Sequence, residues 1–208
     1  MKNVVTSFCS IRNRQIVKDG QIVFRSEEGL LQAFLEKAYS ELKLSYPRFY
    51  KMDRLSQLGW LASEIIFGGG SYPPNLPDLN KVGLVLANRN SSLDSDIAFH
   101  QSISKVPSPS LFVYTLPNIV LGEICIRNGF KGENAFFVQE SFDTSFLVSY
   151  VDMILSNGNN AKCLAGWVDV LGEDHDVFLY FVEKIARSRS LEHDSSKLLK
   201  LYNTTWIN

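Results

Sequence analysis

The chain has 208 residues, 45% hydrophobic and 21% charged, with a formal net charge of −1; this suits a single domain, 1–208, with a buried core. Near-neutral charge gives no electrostatic basis for binding nucleic acid or an anionic membrane, and no apolar run reaches the roughly 18–20 residues that cross a bilayer. No signal peptide is expected at the N-terminus, and Cys9, Cys125 and Cys163 are too few and scattered for a disulfide framework, so the expectation is a cytoplasmic protein with reduced thiols.

Residues 2–11 read as a strand. A hairpin follows, residues 15–17 and 21–24, turned by Asp19-Gly20. From Glu27 the period becomes helical, with Leu30, Leu31, Phe34, Leu35, Ala38 and Leu42 on one face. Ser26 is the expected N-cap, with Glu27 and Glu28 complementing the helix dipole. Pro47 interrupts, and a second helix is expected over residues 53–67. Gly68-Gly69-Gly70 ends it and a Pro-rich loop fills residues 72–79. The triple glycine closes a helix and is followed by no Lys-Ser/Thr, so it does not cradle phosphate.

Residues 82–87 form an apolar run expected of a strand buried on both faces. A polar turn (88–93) leads to a helix over 94–104. A further helix is expected over 116–128, with Pro117 in its first turn. Then come a strand (134–139), a helix (144–156), strands at 162–171 and 177–182, and a short amphipathic helix (195–202). This alternation predicts an α/β fold covered by helices on both faces.

Of the other groups with chemical potential, Cys163 falls in a core strand and Cys125 on a helix, both as packing thiols. Asp169, Glu173, Asp174, His175 and Asp176 read as a solvated acidic turn, and no metal is expected there. His100, His175 and His193 read as surface or packing residues. No cofactor is expected.

Four blocks, in order, carry a resemblance to a known family. Lys51-Met52-Asp53-Arg54-Leu55-Ser56 is similar to an "MDRFS" helix entry. Val82-Gly83-Leu84-Val85-Leu86-Ala87 is similar to a "VGVV" strand. The third block runs from Ser108-Pro109 to Asn118, then Gly122-Glu123-Ile124 and Gly129-Phe130-Lys131-Gly132. Ala165-Gly166-Trp167-Val168-Asp169 is similar to an "AGG" strand. Together they resemble the N-terminal half of the β-ketoacyl-[acyl-carrier-protein] synthases of the thiolase-like superfamily. The resemblance implies a single thiolase-like half, a mixed but mostly parallel five-stranded sheet with helices on both faces. Each block also has a structural reading: Asp53 caps a helix with Arg54 as its solvated or ion-paired partner, Asn118 bonds backbone at a helix start, Gly122 makes a close helix contact, and Gly129 and Gly132 supply turns.

In the family the nucleophilic cysteine follows the glycine matched by Gly132 by nine residues, which lands on Ser141. The Ala-Cys-x-Ser pattern becomes Glu140-Ser141-Phe142-Asp143. A serine needs an adjacent general base, and the family's histidines belong to a C-terminal half expected to be missing here. Ser141 and Asp143 suit N-capping, and acidic groups there oppose a thiolate or an oxyanion.

The resemblance therefore implies a catalytically silent, half-length ketosynthase-like partner or scaffold subunit. It would act in fatty-acid-like or polyketide-like, acyl-carrier-protein-dependent biosynthesis. The strand 134–139 would pair it as a homodimer or with a full-length ketosynthase, and acyl carrier protein is a further candidate partner. One alternative is acyl transfer by Ser141, or by a site that another chain completes. Another is an acyl or carrier-protein binding module whose groove is lined by Phe112, Tyr114, Phe142 and Phe146.

Overall fold

The computed structural model describes residues 2–26, 29–68, 79–104, 106–184 and 191–206. Glu27, Glu28, Gly69, Gly70 and nearly all of the Pro-rich loop lie outside the described residues. The first strand, β1 (Val4–Arg12), turns at Asn13-Arg14 into β2 (Gln15–Lys18), and Asp19-Gly20 turns β2 into β3 (Gln21–Arg25). All four turn residues have positive φ, the geometry that joins twisted strands through two residues. Four strands follow at β4 (Val82–Asn88), β5 (Asn134–Val138), β6 (Lys162–Leu171) and β7 (Asp174–Glu183). A two-residue strand, β8 (Leu191–Glu192), pairs with the start of β1.

The sheet runs β3-β2-β1-β7-β6-β4-β5, with β8 alongside β1. Only β4–β5 and β4–β6 are parallel; every other pairing is antiparallel. The expectation of a mostly parallel, five-stranded sheet is therefore corrected to a mixed, mostly antiparallel sheet of eight strands. The cause is local. Leu171 pairs with Asp174, so Gly172-Glu173 is a two-residue hairpin turn, and β6 and β7 are joined directly with no crossover helix. The N-terminal hairpin then adds β1 to the free edge of β7.

Helices cover both faces, as expected. On one side lie α1 (Leu31–Glu41), α2 (Arg54–Ile66) and α5 (Ile119–Asn128), over Ile11, Leu84, Leu86, Leu164, Val168 and Leu179. On the other, α6 (Thr144–Ser156) and α7 (Ser195–Tyr202) cover Val85, Ala87, Ala165, Trp167, Phe178 and Tyr180. Two further helices, α3 (Leu93–Ile103) and α4 (Pro109–Val113), pack on each other beside α2. The α2 side holds an aromatic cluster in which Tyr46 stacks on Trp60 and Tyr39 on Phe49, with centroids 5.4 and 4.6 Å apart. Offset stacking of this kind adds to the burial energy of large rings.

Two local expectations change. Ser26 does not cap α1: the helix begins after Leu30, which has no capping side chain, and Glu173 from the β6–β7 turn accepts the Leu31 N–H at 2.6 Å. Gly122 makes no close contact. The close approach of α2 to α5 is made by Gly59, where an added Cβ would lie 2.5 Å from Val120 Cγ2.

Candidate functional site

The position matched to the family nucleophile lies between β5 and α6. Here β5 delivers the chain to Gln139, whose N–H donates to Asn88 O at 2.8 Å, and residues 140–143 turn into α6. Gly132 sets the approach to β5: a Cβ there would stand 2.4 Å from both Val82 O and Asn160 Oδ1, so no larger residue fits. Glu140 and Ser141 are exposed, and the Ser141 hydroxyl bonds to nothing among the described residues. Phe142 turns inward and is buried against Tyr202, Phe178 and Trp167, with centroids 4.4, 5.6 and 6.3 Å away. Asp143 is the N-cap of α6, its carboxylate accepting the Phe146 N–H at 2.9 Å.

This arrangement settles the helix terminus by itself. Unpaired N–H groups at a helix start suit an oxyanion or a thiolate; here one is held by a fixed carboxylate, and the negative charge opposes another anion. α7 closes over the same end of α6, with Ser195 Oγ 2.9 Å from Thr144 Oγ1 and 3.0 Å from Ser145 Oγ.

Among the described residues, none of the three histidines bonds to Ser141. His100 is exposed on α3. His175 bonds through Nδ1 to Glu173 O in the β6–β7 turn. His193 is buried beneath α6 with Nδ1 2.9 Å from Asp152 Oδ1. Burial pushes the thiols of Cys9 and Cys163 well above the usual range and that of Cys125 to about 11, so all three are poor nucleophiles.

The acidic run divides among separate tasks. Asp169 accepts the N–H groups of Arg89 and Asn90 and the Asn90 side chain, holding the turn after β4. Glu173 caps α1, and Asp176 accepts from Arg12 and Tyr202. Among the described residues, no group of three or more His, Cys, Asp or Glu could hold a metal ion.

Nor do the four aromatics of the expected acyl groove come together. Tyr114 belongs to the α2 side of the sheet, whereas Phe142 and Phe146 lie on the α6 side; Phe112 is exposed against Phe99. The best-matched residues build the frame. Asp53 caps α2 through Ser56 N at 3.0 Å and accepts the Ser95 hydroxyl at 2.6 Å; burial raises its carboxyl pKa, and these bonds oppose the rise. Arg54 pairs not with Asp53 but with Asp94, donating from Nε and Nη2 at 2.9 and 2.5 Å. Asn118 makes no side-chain cap bond, and Gly129 is the left-handed C-cap of α5.

The strand β5 lies at the end of the sheet. It pairs with β4 on one side and with nothing among the described residues on the other. Its residues are half-buried or exposed, and Val138 is 57% exposed. Elsewhere, α3 and α4 leave Ile97, Ile103, Phe112 and Val113 exposed, as is the following Leu116.

The fold is a thiolase-like half fold of the kind found in ketosynthases and chain length factors, over about nine-tenths of the chain. The ishigamide ketosynthase/chain length factor superposes with a TM-score of 0.65 at 16% identity, over 91% of this chain and 64% of that one. A ketosynthase (ApeO) in complex with its chain length factor (ApeC) from Xenorhabdus doucetiae matches with a TM-score of 0.59 at 10% identity, over 89% of this chain and 80% of that one. A type II polyketide synthase acyl-carrier protein in complex with its ketosynthase (AntDE:AntF) matches with a TM-score of 0.59 at 18% identity, over 88% and 62%. This chain thus spans less than two thirds of the length of the first and third. No protein-family model and no curated protein matches the chain. Among the described residues, no helix is long and apolar enough to cross a membrane.

Proposed function

We propose that this protein is a catalytically silent, ketosynthase-like partner subunit in acyl-carrier-protein-dependent, polyketide-like biosynthesis. The observation that carries this reading is the open edge of β5. Among the described residues no strand pairs with its outer side, four of its five side chains are apolar, and an apolar edge is normally covered by another chain. A ketosynthase offering the equivalent strand is the partner whose fold matches. In support, two of the matching structures are described as pairing a ketosynthase with a chain length factor and a third as holding an acyl-carrier protein. The capped α6 terminus and the unassisted Ser141 favour a supporting role over acyl transfer.

The test is to mix the purified protein with candidate ketosynthases and measure mass by light scattering on a sizing column. A one-to-one complex that is lost in Val138→Lys supports the reading. A protein that co-elutes with none of them would sink the heterodimer, and self-association lost in the same variant would establish the homodimer instead. Added acyl carrier protein shows whether the complex, or the subunit alone, binds the carrier.

A further inference from the structure

The helix α5 has its polarity reversed for a helix that faces water. Both of its charged side chains turn inward. Glu123 is buried, accepting from Arg48 Nη2 at 3.0 Å and from the Tyr114 hydroxyl at 3.1 Å, and Arg127 is forked onto the buried Glu64. What lies outward is uncharged. Ile126 is 61% exposed, and Gly122, one turn before it on the same face, has nothing within 4 Å of where a Cβ would stand. Ile119, a turn earlier still, is only partly covered. A surface helix normally turns its charges to solvent, and one that is apolar on its outer face as well is one that another element covers.

Gly122 adds a second anomaly. Glycine inside a helix is unfavourable beside alanine, and its use there is to let another backbone come close. Within this chain that need is met at Gly59, which leaves Gly122 without a close neighbour among the described residues. The place of α5 in the layer is also particular. Whereas α2 packs over β1, β7 and β6, α5 packs over β4 and β5 and so flanks the open edge strand.

We propose that the outer face of α5 receives a helix of the partner subunit, which crosses closest at Gly122 and covers Ile126. The proposal rests on the reading of β5 as a pairing edge. Two equivalent edge strands related by a twofold axis pair antiparallel, and the axis passes through the sheet, so helices that flank them on one face meet across it. The occupant is therefore the partner's counterpart of α5, and Gly122 sets how near the two helices come.

Gly122→Ala and Ile126→Lys in the full-length protein test this, with dissociation of the complex followed by sedimentation and a thermal melt of each free variant as the folding control. Gly122→Ala should raise the melt of the free protein and yet weaken the complex about tenfold, the effect of one methyl group too many in a packed contact. Ile126→Lys places a cation in the last turn of the helix, where the dipole favours it, so the free protein should melt no lower while the complex weakens by at least the same factor. A complex that Val138→Lys abolishes but both α5 variants leave intact would overturn the inference and keep β5 as the pairing edge. Absence of any complex would remove both. Binding of the free protein to phosphatidylcholine vesicles that Ile126→Lys abolishes, with the complex unchanged, would give this face to a lipid surface and likewise overturn the inference.

Discussion

Arg127 on α5 grips Glu64 on α2 with both ends of its fork, Nε to Oε1 at 2.9 Å and Nη2 to Oε2 at 2.8 Å. The Glu64 side chain is fully buried and Arg127 is 17% exposed, so this ion pair sits inside the contact between the two helices. Tyr46 and Trp60 flank the guanidinium, with ring centres 5.1 and 5.9 Å away. Removing one member of such a pair leaves an uncompensated charge. Arg127→Ala is expected to cost about 3–5 kcal/mol in urea unfolding, and adding Glu64→Gln should recover much of the loss. Additive losses in the double variant would show that the pair is not coupled.

Two glycines on the same two helices are predicted to behave oppositely. Gly59→Ala drives a methyl group into Val120, and overpacking of this kind costs about 1–3 kcal/mol. A Cβ on Gly122 meets nothing within 4 Å, and glycine inside a helix is itself unfavourable. Gly122→Ala should therefore stabilise the protein by roughly 0.5–1 kcal/mol. Thermal melts of the two variants side by side give the comparison.

His193 makes stability depend on pH. Burial lowers its pKa from the usual value of 6.5, with the bond to Asp152 and the charges of Asp152 and Asp194 opposing the shift. Its Nε2 and the hydroxyl of Tyr180, whose ring lies 5.6 Å away, are both buried without partners. The folded state thus takes up a proton on this ring less readily than the unfolded chain does. Its contribution is complete above the unfolded pKa and is lost as pH falls below it. The urea midpoint should fall between about pH 7 and pH 5, and His193→Phe should flatten that slope. An equal slope in the variant would assign the pH dependence to other groups.

Capping and chemistry at the start of α6 separate by mutation. Asp143→Ala should cost about 1 kcal/mol of stability, as loss of an N-cap does. Ser141→Ala, at an exposed hydroxyl bonded to nothing described, should change stability by less than about 0.5 kcal/mol. Neither variant should alter binding to a ketosynthase. Intact mass after incubation with acyl-carrier-protein or acyl-CoA thioesters should show no adduct on the parent protein; an adduct lost in Ser141→Ala would reverse the assignment of a silent site.

What local sequence conveys is visible in what it missed. Asp19-Gly20 announced a hairpin, and the apolar run over 82–87 announced a strand covered on both faces; each signal lies within a few residues. The cap of α1 comes from Glu173, distant in the chain, so Ser26 looked like the nearest suitable oxygen. Gly59 and Gly122 were indistinguishable in a helical period, because only the crossing of α2 and α5 decides which meets a neighbour. Strand direction is expected from the resemblance alone, and the Gly172-Glu173 turn that joins β6 directly to β7 lies beside an acidic run that reads as solvated. At the candidate site the absence of a cysteine was legible. The burial of Phe142 under Tyr202 was not, since α7 reaches it from the far end of the chain.

The place of β1 in the sheet constrains how the protein is made. Synthesis delivers β1 before the other strands of this sheet, and β2, with which it shares a tight turn, is the first neighbour to follow. Its other neighbour, β7, pairs Val4 with Glu183 and emerges only after β4, β5 and β6. Until then one edge of an apolar strand has no native partner, and long-range pairing of this sort is slow and exposed to aggregation. A circular permutant that links the end of α7 to β1 through a short linker and starts the chain at β4 would bring β7 and β1 much closer in sequence, and faster refolding is the expected gain.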